Sequence, residues 1–170
     1  MVPETIHTAV LLEESMLALE VKPGGRYLDG TLGGATHTKT LLERSGPTGR
    51  VVSLDVDPTA LARAAETVQS FGERWQGIDR NFRFLDQAAA DADLVPCDGV
   101  LLDLGFSSDE LLDPKKGLSF LQDGILDMRL GPQSNEDGLT AADIVNSWSK
   151  EEISTLIQEY GEERFDAYLF

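Results

Sequence analysis

The chain has 170 residues, 41% hydrophobic and 26% charged, which suits one domain that is long enough to bury a core. Fourteen Lys and Arg residues face 30 Asp and Glu residues, and the net charge of −16 argues against a phosphate-backbone partner and favours a small-molecule substrate. No apolar run approaches the ~20 residues of a membrane span, and no signal-peptide pattern opens the chain, so we expect a cytoplasmic protein without membrane contact. A single cysteine, Cys97, excludes an internal disulfide.

The first predicted element is a helix over residues 8–20. Leu12, Met16 and Leu19 recur on one of its faces at helical spacing, and residues 23–25 (Pro-Gly-Gly) end it. These three side chains are therefore candidates for the core.

A strand, a glycine turn and a helix follow in residues 26–44. The apolar strand ends at Asp29, the turn holds Gly30, Gly33 and Gly34, and residues 38–44 predict the helix. Glycine tolerates positive φ and lets a ligand approach the backbone, and free amides at a helix start bind polar ligand groups. The pattern predicts a nucleotide-like cofactor site, although an ordinary strand-to-helix turn has the same pattern.

Two more apolar strands also end in carboxylates. Residues 49–55 predict a strand ending at Asp55, 21 residues after Gly34, and residues 98–103 predict one ending at Asp103. An acidic residue about 20 residues beyond a glycine turn suits the two hydroxyls of a ribose. Because open α/β sheets bind ligands at the carboxyl ends of their strands, we expect Asp29, Asp55 and Asp103 to line one crevice.

The composition of the turn indicates which nucleotide it binds. The turn reads G-x-x-G-G instead of the dinucleotide pattern G-x-G-x-x-G, and no Gly-Lys-Ser or Gly-Lys-Thr occurs in the chain. A ligand without phosphates but with a ribose and a charged amino-acid end fits better, and we predict S-adenosylmethionine. The two histidines have no ligand partners at metal-like spacing, so we predict no metal site.

The rest of the chain predicts further helices and one weak strand. Asp57-Pro58 opens a helix whose buried stripe would be Leu61, Ala64, Ala65 and Val68, residues 74–79 predict the weak strand, and residues 86–93 predict an Ala-rich helix. Phe82 either lies against an adenine or belongs to the core, since its spacing favours neither. Residues 115–138 are loop-rich, and helices resume at Thr140 and at Ser149, where Ser149 and Glu152 fit a capping box.

Six motifs occur in an order that resembles one known family. They are HTAVLLEE (7–14), DGTLGGATH (29–37), LDVDP (54–58), DGVLLDLGFSS (98–108), DGILDMR (123–129) and YGEERF (160–165). Together they resemble the ribosomal small-subunit RNA methyltransferase H family, also called MraW, over nearly all of the chain.

The resemblance implies an α/β fold of the class I S-adenosylmethionine-dependent methyltransferases, a Rossmann-like sheet with helices on both faces. Residues 1–105 would form an incomplete cofactor-binding domain, and residues 106–170 the start of a helical substrate-recognition insert. The implied reaction is methylation of the N4 amine of a cytidine in the decoding region of 16S rRNA, with the small ribosomal subunit as partner. Carried over by position, the cofactor contacts are Gly34, Ala35, Thr36, His37, Asp55 (ribose), Phe82 (adenine), Asp103 (methionine side) and Glu110.

Asp103 is also the candidate catalytic residue, because a carboxylate that accepts the N–H bonds of the target amine would hold it in line for attack. The same position fits a pure cofactor contact, and the sequence does not decide between the two. Phe106, in the glycine turn that follows, is a candidate to stack on a flipped base.

The chain departs from the family pattern at several positions. The family turn Gly-x-Gly-Gly-His reads Gly-Gly-Ala-Thr-His here, and a side chain at Ala35 or Thr36 crowds the ligand if either position needs positive φ. Glu110 replaces the usual Gln, although it also fits a capping box with Ser107, and Lys116 replaces an Arg. The chain is also much shorter than family members, so we expect an N-terminal portion whose RNA-contacting basic residues lie in the remainder.

Two other classes of function stay open. One is a catalytically inactive cofactor-binding fragment, favoured by the missing strands. The other is a small-molecule methyltransferase of the same fold, favoured by the net charge of −16. The oligomeric state is also open, a dimer included.

Overall fold

The computed structural model describes residues 9–106, 108–131 and 138–161. His7, the predicted cap Ser107 and the C-terminal residues 162–170 lie outside these ranges. Within the described ranges, no helix combines the length and the apolar character that crossing a bilayer requires.

Within the described residues, four parallel strands form one sheet in the order β3-β2-β1-β4. They are β1 (Arg26–Asp29), β2 (Arg50–Asp55), β3 (Trp75–Asp79) and β4 (Gly99–Leu101). All four predicted strands are confirmed, including the weak one. Strand β4 is shorter than predicted, and Asp103 follows it in a loop. The chain order reverses between β1 and β4, which is where open α/β sheets bind their ligands.

Seven helices accompany the strands in the described residues. They are α1 (Leu12–Ala18), α2 (Thr36–Arg44), α3 (Pro58–Thr67), α4 (Leu85–Asp91), α5 (Ser108–Leu112), α6 (Ala141–Ser147) and α7 (Lys150–Gly161), with short 3₁₀ turns at Gln69–Arg74 and Phe82–Phe84. Helix α1 begins later than predicted, because Leu11 at its N-cap position has a left-handed φ of 52°. The predicted capping box is confirmed at the start of α7, where Ser149 and Glu152 exchange hydrogen bonds.

The core lies on both faces of the sheet, as expected for a doubly covered α/β fold. Side chains alternate along the strands, so that Tyr27 and Val51 face one layer while Leu28 and Val52 face the other. The first layer is completed by Met16, Leu41, Leu42, Val68 and Leu101, and the second by Leu54, Ala88, Ala89, Ala92 and Leu94.

The buried stripe of α3 matches the predicted one only in part, and its predicted member Leu61 is half-buried. Ala64 and Val68 are buried as expected, together with Ala60 at the preceding turn, whereas Ala65 is exposed. Residues four apart share one face of a helix, and the next residue is rotated away from it. The inclusion of Ala65 in the stripe was therefore wrong.

The segment between α5 and α6 has no regular helix or strand over its described residues 113–131, as predicted. It is nevertheless folded back on itself. The Met128 amide donates to the Lys116 carbonyl at 2.8 Å, and a Cβ atom on Gly117 or Gly124 would collide with backbone of the same segment. The Ala141 amide donates to the Asp127 carbonyl at 2.8 Å, which joins the segment to α6.

Candidate cofactor-binding site

The glycine turn after β1 is tied to both neighbouring strands. The Gly30 amide donates to the Leu101 carbonyl at 2.9 Å, and the Leu32 amide donates to the Leu54 carbonyl at 3.0 Å. A Cβ atom on Gly30 would lie 2.4 Å from the Leu102 side chain and 3.2 Å from Phe82 Cβ. The sequence needs glycine here because the turn passes directly against β4 and the loop after β3.

Asp29 lies beneath this turn and is fully buried. Its carboxylate accepts hydrogen bonds from the Thr31 amide at 3.1 Å and from the Thr38 hydroxyl at 2.7 Å. The Thr38 hydroxyl also lies 2.7 Å from the Ser53 hydroxyl, which accepts the indole N–H of Trp75 at 3.1 Å. This network joins β1, α2, β2 and β3. The expectation that Asp29 lines the crevice was therefore wrong, because its buried carboxylate accepts hydrogen bonds from Thr31 and Thr38 and stabilises the turn from the core side.

The buried position of Asp29 predicts a specific pH dependence. Burial raises its pKa, although the bonds from Thr38 and Thr31 oppose that shift. The folded state thus holds this proton more tightly than the unfolded chain, and stability is lost as pH rises from about 4 through the raised pKa. Asp29→Asn lacks this titration, so its free energy of unfolding relative to wild type should rise with pH. Urea denaturation between about pH 4 and pH 7 tests this, and a constant difference would contradict it.

A cavity of about 800 Å³ opens beside the turn, at the carboxyl ends of the strands. Cofactor and small-molecule sites have volumes of this order. Every residue predicted to contact the cofactor, except Ala35, lies in its wall: Gly34, Thr36, His37, Asp55, Phe82, Asp103 and Glu110.

Ala35 is placed differently. Its backbone is left-handed (φ 62°), the conformation in which its side chain was expected to crowd the ligand. The methyl group is instead buried against Leu32 and Ala64. Its amide donates to the Leu32 carbonyl at 2.8 Å. Ala35 therefore shapes the turn from the core side instead of touching the cavity, and its side chain does not crowd a ligand. Ala35 is also the N-cap residue of α2, and because it has no polar side chain it makes no capping hydrogen bond. The first amides of that helix therefore remain available to a ligand.

Asp55 is held in a fixed orientation at the end of β2. One carboxylate oxygen accepts the Gly33 amide at 2.9 Å and the other accepts the Asp57 amide at 2.9 Å. Burial raises the pKa of Asp55, and these two backbone bonds work against that increase. Each carboxylate oxygen can accept a second hydrogen bond, so Asp55 can still bind two hydroxyl groups from the cavity.

His37 and Asp103 lie close together in the wall of the cavity. His37 is buried, and its Nε2 atom has no hydrogen-bond partner in the part of the chain that the structure describes. Its Nδ1 atom lies 3.8 Å from Asp103 Oδ2, beyond hydrogen-bond distance. The Asp103 side chain is 39% exposed, and its amide donates to the Thr31 hydroxyl at 2.7 Å. A buried side-chain nitrogen without a partner is unusual in a folded chain, and His37 is one of the residues that line the cavity.

Two aromatic side chains border the cavity. Phe82 follows β3 and is 39% exposed, so the alternative that it belongs to the core was wrong. Phe106 is 58% exposed and lies in the cavity wall next to Asp103 and Leu104. Aromatic rings in such positions are candidates for stacking on a planar base.

The sequence did not indicate an ion-pair cluster behind Glu110. The Lys116 ammonium lies 3.1 Å from Glu110 Oε1 and 2.8 Å from Asp57 Oδ2. Asp57 is also the N-cap of α3, the helix that the sequence predicted to open at Asp57-Pro58. No local pattern links Asp57 to a lysine 59 positions away. The only available signal was that positions 110 and 116 both depart from the family pattern, and these two side chains are in contact.

The described residues contain no group of three or more His, Cys, Asp or Glu side chains placed to hold a metal ion. The cavity instead offers carboxylates, the uncapped start of a helix, an imidazole and an exposed aromatic ring. These groups fit S-adenosylmethionine, which has a ribose, a planar base and positive charge on its sulfonium and ammonium groups.

The parallel sheet with its reversal between β1 and β4, the glycine turn and the acidic end of β2 define a class I S-adenosylmethionine-dependent methyltransferase fold. Within this class, the chain belongs to the MraW methylase family, whose model matches residues 4–168.

Two relatives are each named ribosomal RNA small subunit methyltransferase H. The protein from Thermomicrobium roseum is 46% identical over 159 residues, which cover 94% of this chain and 48% of the relative. The protein from Geotalea daltonii is 44% identical over 159 residues, covering 94% and 50%. The chain thus spans about half the length of these relatives.

Among solved structures, a SAM-dependent O-methyltransferase from Thermotoga maritima aligns with a TM-score of 0.41 and 21% identity, covering 46% of this chain and 30% of that one.

Proposed function

We propose that this chain binds S-adenosylmethionine in the cavity and is part of an enzyme that methylates the N4 amine of a cytidine in 16S rRNA. The observation that carries the proposal is the convergence of Asp55, Phe82 and His37 on one cavity at the reversal of strand order. Membership of the MraW methylase family, and relatives named for the small-subunit RNA, support the choice of substrate.

Individual residues of the cavity wall have proposed roles in binding the cofactor. Asp55 binds the two ribose hydroxyls, because its oriented carboxylate has one free acceptor site on each oxygen. The exposed ring of Phe82 stacks on the adenine. Gly34 and Thr36 present backbone at the start of α2, and His37 and Asp103 bind the methionine end. Glu110 closes the wall near the ribose.

The cofactor supplies an electrophilic methyl group on a sulfonium, and the protein's contribution to an in-line displacement is largely positioning. The cytosine N4 amine is a poor nucleophile, since its lone pair is delocalised into the ring. A carboxylate at Asp103 that accepts an N–H of this amine orients the lone pair toward the methyl carbon. The amine held in this way would form its new bond to the methyl carbon as the carbon–sulfur bond breaks, and the proton that it loses would leave toward solvent past the exposed Asp103 carboxylate. Phe106 stacks on the flipped base at the rim.

We also propose that the chain is divided into two functional parts. Residues 1–105 form the cofactor-binding unit, and residues 106–170 begin the part that recognises the substrate. The proposed partner is the small ribosomal subunit in the cytoplasm.

The proposal is tested by methyl transfer. The full chain is incubated with S-adenosylmethionine carrying a labelled methyl group and with small ribosomal subunits that lack the modification, and the rRNA is then digested to nucleosides. Label in N4-methylcytidine is the expected result. Label in another nucleoside, or in ribosomal protein alone, would contradict the substrate assignment.

A second candidate is a small-molecule methyltransferase, favoured by the net charge of −16. It predicts transfer of the label to a soluble metabolite fraction and none to the ribosomal subunit. A third outcome, cofactor binding without transfer to either, would identify a cofactor-binding unit that is inactive by itself.

A further inference from the structure

We propose that Lys116 is a positioning residue that holds the outer wall of the cofactor cavity in place by neutralising two carboxylates from separate segments. The part of this inference that concerns cofactor affinity rests on the proposed function. The part that concerns the wall itself does not.

The ammonium group of Lys116 joins three segments of the chain. It donates to Asp57 Oδ2 at 2.8 Å, to Glu110 Oε1 at 3.1 Å and to the Leu130 carbonyl at 2.6 Å. Asp57 lies between β2 and α3, Glu110 lies on α5, and Leu130 lies at the end of the irregular segment 113–131. A lysine ammonium has three N–H donors, so these three acceptors use its full capacity. Its side chain is only 14% exposed, so these contacts are largely buried and differ from a solvent-exposed ion pair at the surface.

All three segments contribute to the wall of the cavity. Glu110 and Leu130 line the cavity, as does Val56, the neighbour of Asp57. The loop and the sheet are in backbone contact there, because a Cβ atom on Gly131 would lie 1.9 Å from the Val56 carbonyl oxygen. Lys116 therefore fastens the loop to the sheet at the place where both form the wall.

The charges of Asp57 and Glu110 explain why a cation is needed to hold these segments together. The Asp57 and Glu110 side chains are mostly buried, and Asp55 is the next carboxylate along the same wall. Burial by itself would raise the pKa of Asp57, but the hydrogen bonds from Lys116 and Thr59 hold that pKa below its usual range. Burial would likewise lower the pKa of Lys116, but Asp57 and Glu110 raise it. Without the ammonium, like charges meet in a poorly screened environment and push α5 away from the β2–α3 turn.

The test compares Lys116→Met with Lys115→Met, the neighbouring exposed lysine, in the full chain. The first readout is amide hydrogen exchange of residues 113–131 without ligand, with β1 and β2 in the same sample as the reference for global folding. The second readout is S-adenosylmethionine affinity by calorimetry. We expect Lys116→Met to speed exchange in this segment and to weaken affinity by about tenfold to a hundredfold, the scale of a misplaced binding wall. Lys115→Met should change neither.

A rescue variant separates charge from packing. Adding Glu110→Gln to Lys116→Met removes one of the two repelling carboxylates, so the double variant should bind more tightly than Lys116→Met and regain exchange protection. A role limited to filling space predicts no such recovery. If Lys116→Met does not fold, Lys116→Gln keeps an N–H donor without the charge, and the same loss and rescue are expected of it.

Wild-type exchange and affinity in Lys116→Met would overturn the inference, and so would a loss that Glu110→Gln does not relieve. If the wild-type chain itself binds no S-adenosylmethionine, the proposed function fails, and the exchange measurement alone decides the inference. Faster exchange in residues 113–131 of Lys116→Met then supports the positioning role of Lys116, and unchanged exchange refutes it.

Discussion

Replacing Asp55 with alanine should weaken S-adenosylmethionine binding by about a hundredfold or more. A hundredfold loss corresponds to about 2.7 kcal/mol, and hydrogen bonds to a charged acceptor contribute about 1.5–3 kcal/mol each. The variant removes the acceptor for two ribose hydroxyls and also releases the Gly33 and Asp57 amides that now bond to the carboxylate. Both effects lower affinity, the second by loosening the glycine turn.

Asp79→Ala is the matched control for this variant. Asp79 pairs with Asp55 in the register of β2 and β3, is exposed, and does not line the cavity. Calorimetric titration of the two variants should show a loss for Asp55→Ala only. Equal affinities for Asp55→Ala and wild type would show that the ribose lies elsewhere, and equal losses in both variants would point to general destabilisation.

Replacing Asp103 with asparagine should reduce the rate of methyl transfer to small ribosomal subunits by about a hundredfold, the typical effect of removing one electrostatic contact at a reacting centre. The substitution keeps the size of the side chain and leaves the backbone bond from its amide to Thr31 in place. What it removes is the negative charge at the cavity mouth, where the amine or the methionine end of the cofactor is proposed to bind.

The affinity of the same variant distinguishes the two roles of Asp103. If Asp103 holds the target amine, Asp103→Asn keeps the wild-type affinity for S-adenosylmethionine and loses rate. If it holds the methionine ammonium, affinity falls together with rate. Asp98→Asn is the control, because Asp98 precedes the same strand at its opposite end and is paired with Lys22 at the surface. A wild-type transfer rate in Asp103→Asn would remove this residue from the site.

The strands and most of the cavity were predictable because local patterns determine them. Three of the four strands are short apolar runs bounded by turn residues, and the carboxyl ends of parallel strands meet at one edge of a sheet. Asp55 and Asp103 could therefore be assigned to one crevice from the strand pattern, whereas His37 and Phe82 were assigned to it by the resemblance to the MraW family. The capping box at Ser149 and Glu152 was predictable for the same reason, since its two partners are three residues apart.

What the sequence did not indicate depends on which way a side chain points and on contacts between distant segments. Asp29 ends a strand just as Asp55 does, but Thr38 and Thr31 bind its carboxylate on the core side of the turn. Ala35 belongs to the cofactor motif, yet its left-handed backbone places its methyl group in the core. The contact of Lys116 with Asp57 joins a loop to a strand end across 59 positions, and no periodicity encodes it.

The acidic composition is physically suited to the proposed cofactor. Asp55, Asp103 and Glu110 contribute negative charge to the wall of the cavity, and Arg80 is the basic residue among its lining side chains in the described part of the chain. Such a wall attracts a ligand that carries sulfonium and ammonium charges. The affinity for S-adenosylmethionine should accordingly exceed that for S-adenosylhomocysteine, which lacks the sulfonium charge.

Calorimetric titration of the full chain with S-adenosylmethionine tests the central claim most directly. The account predicts saturable binding of one ligand per chain at about micromolar strength, in the range of a preformed small-molecule site. A folded, monodisperse sample that gives no binding heat, and whose unfolding temperature does not change with saturating ligand, would show that the cavity is not a working cofactor site.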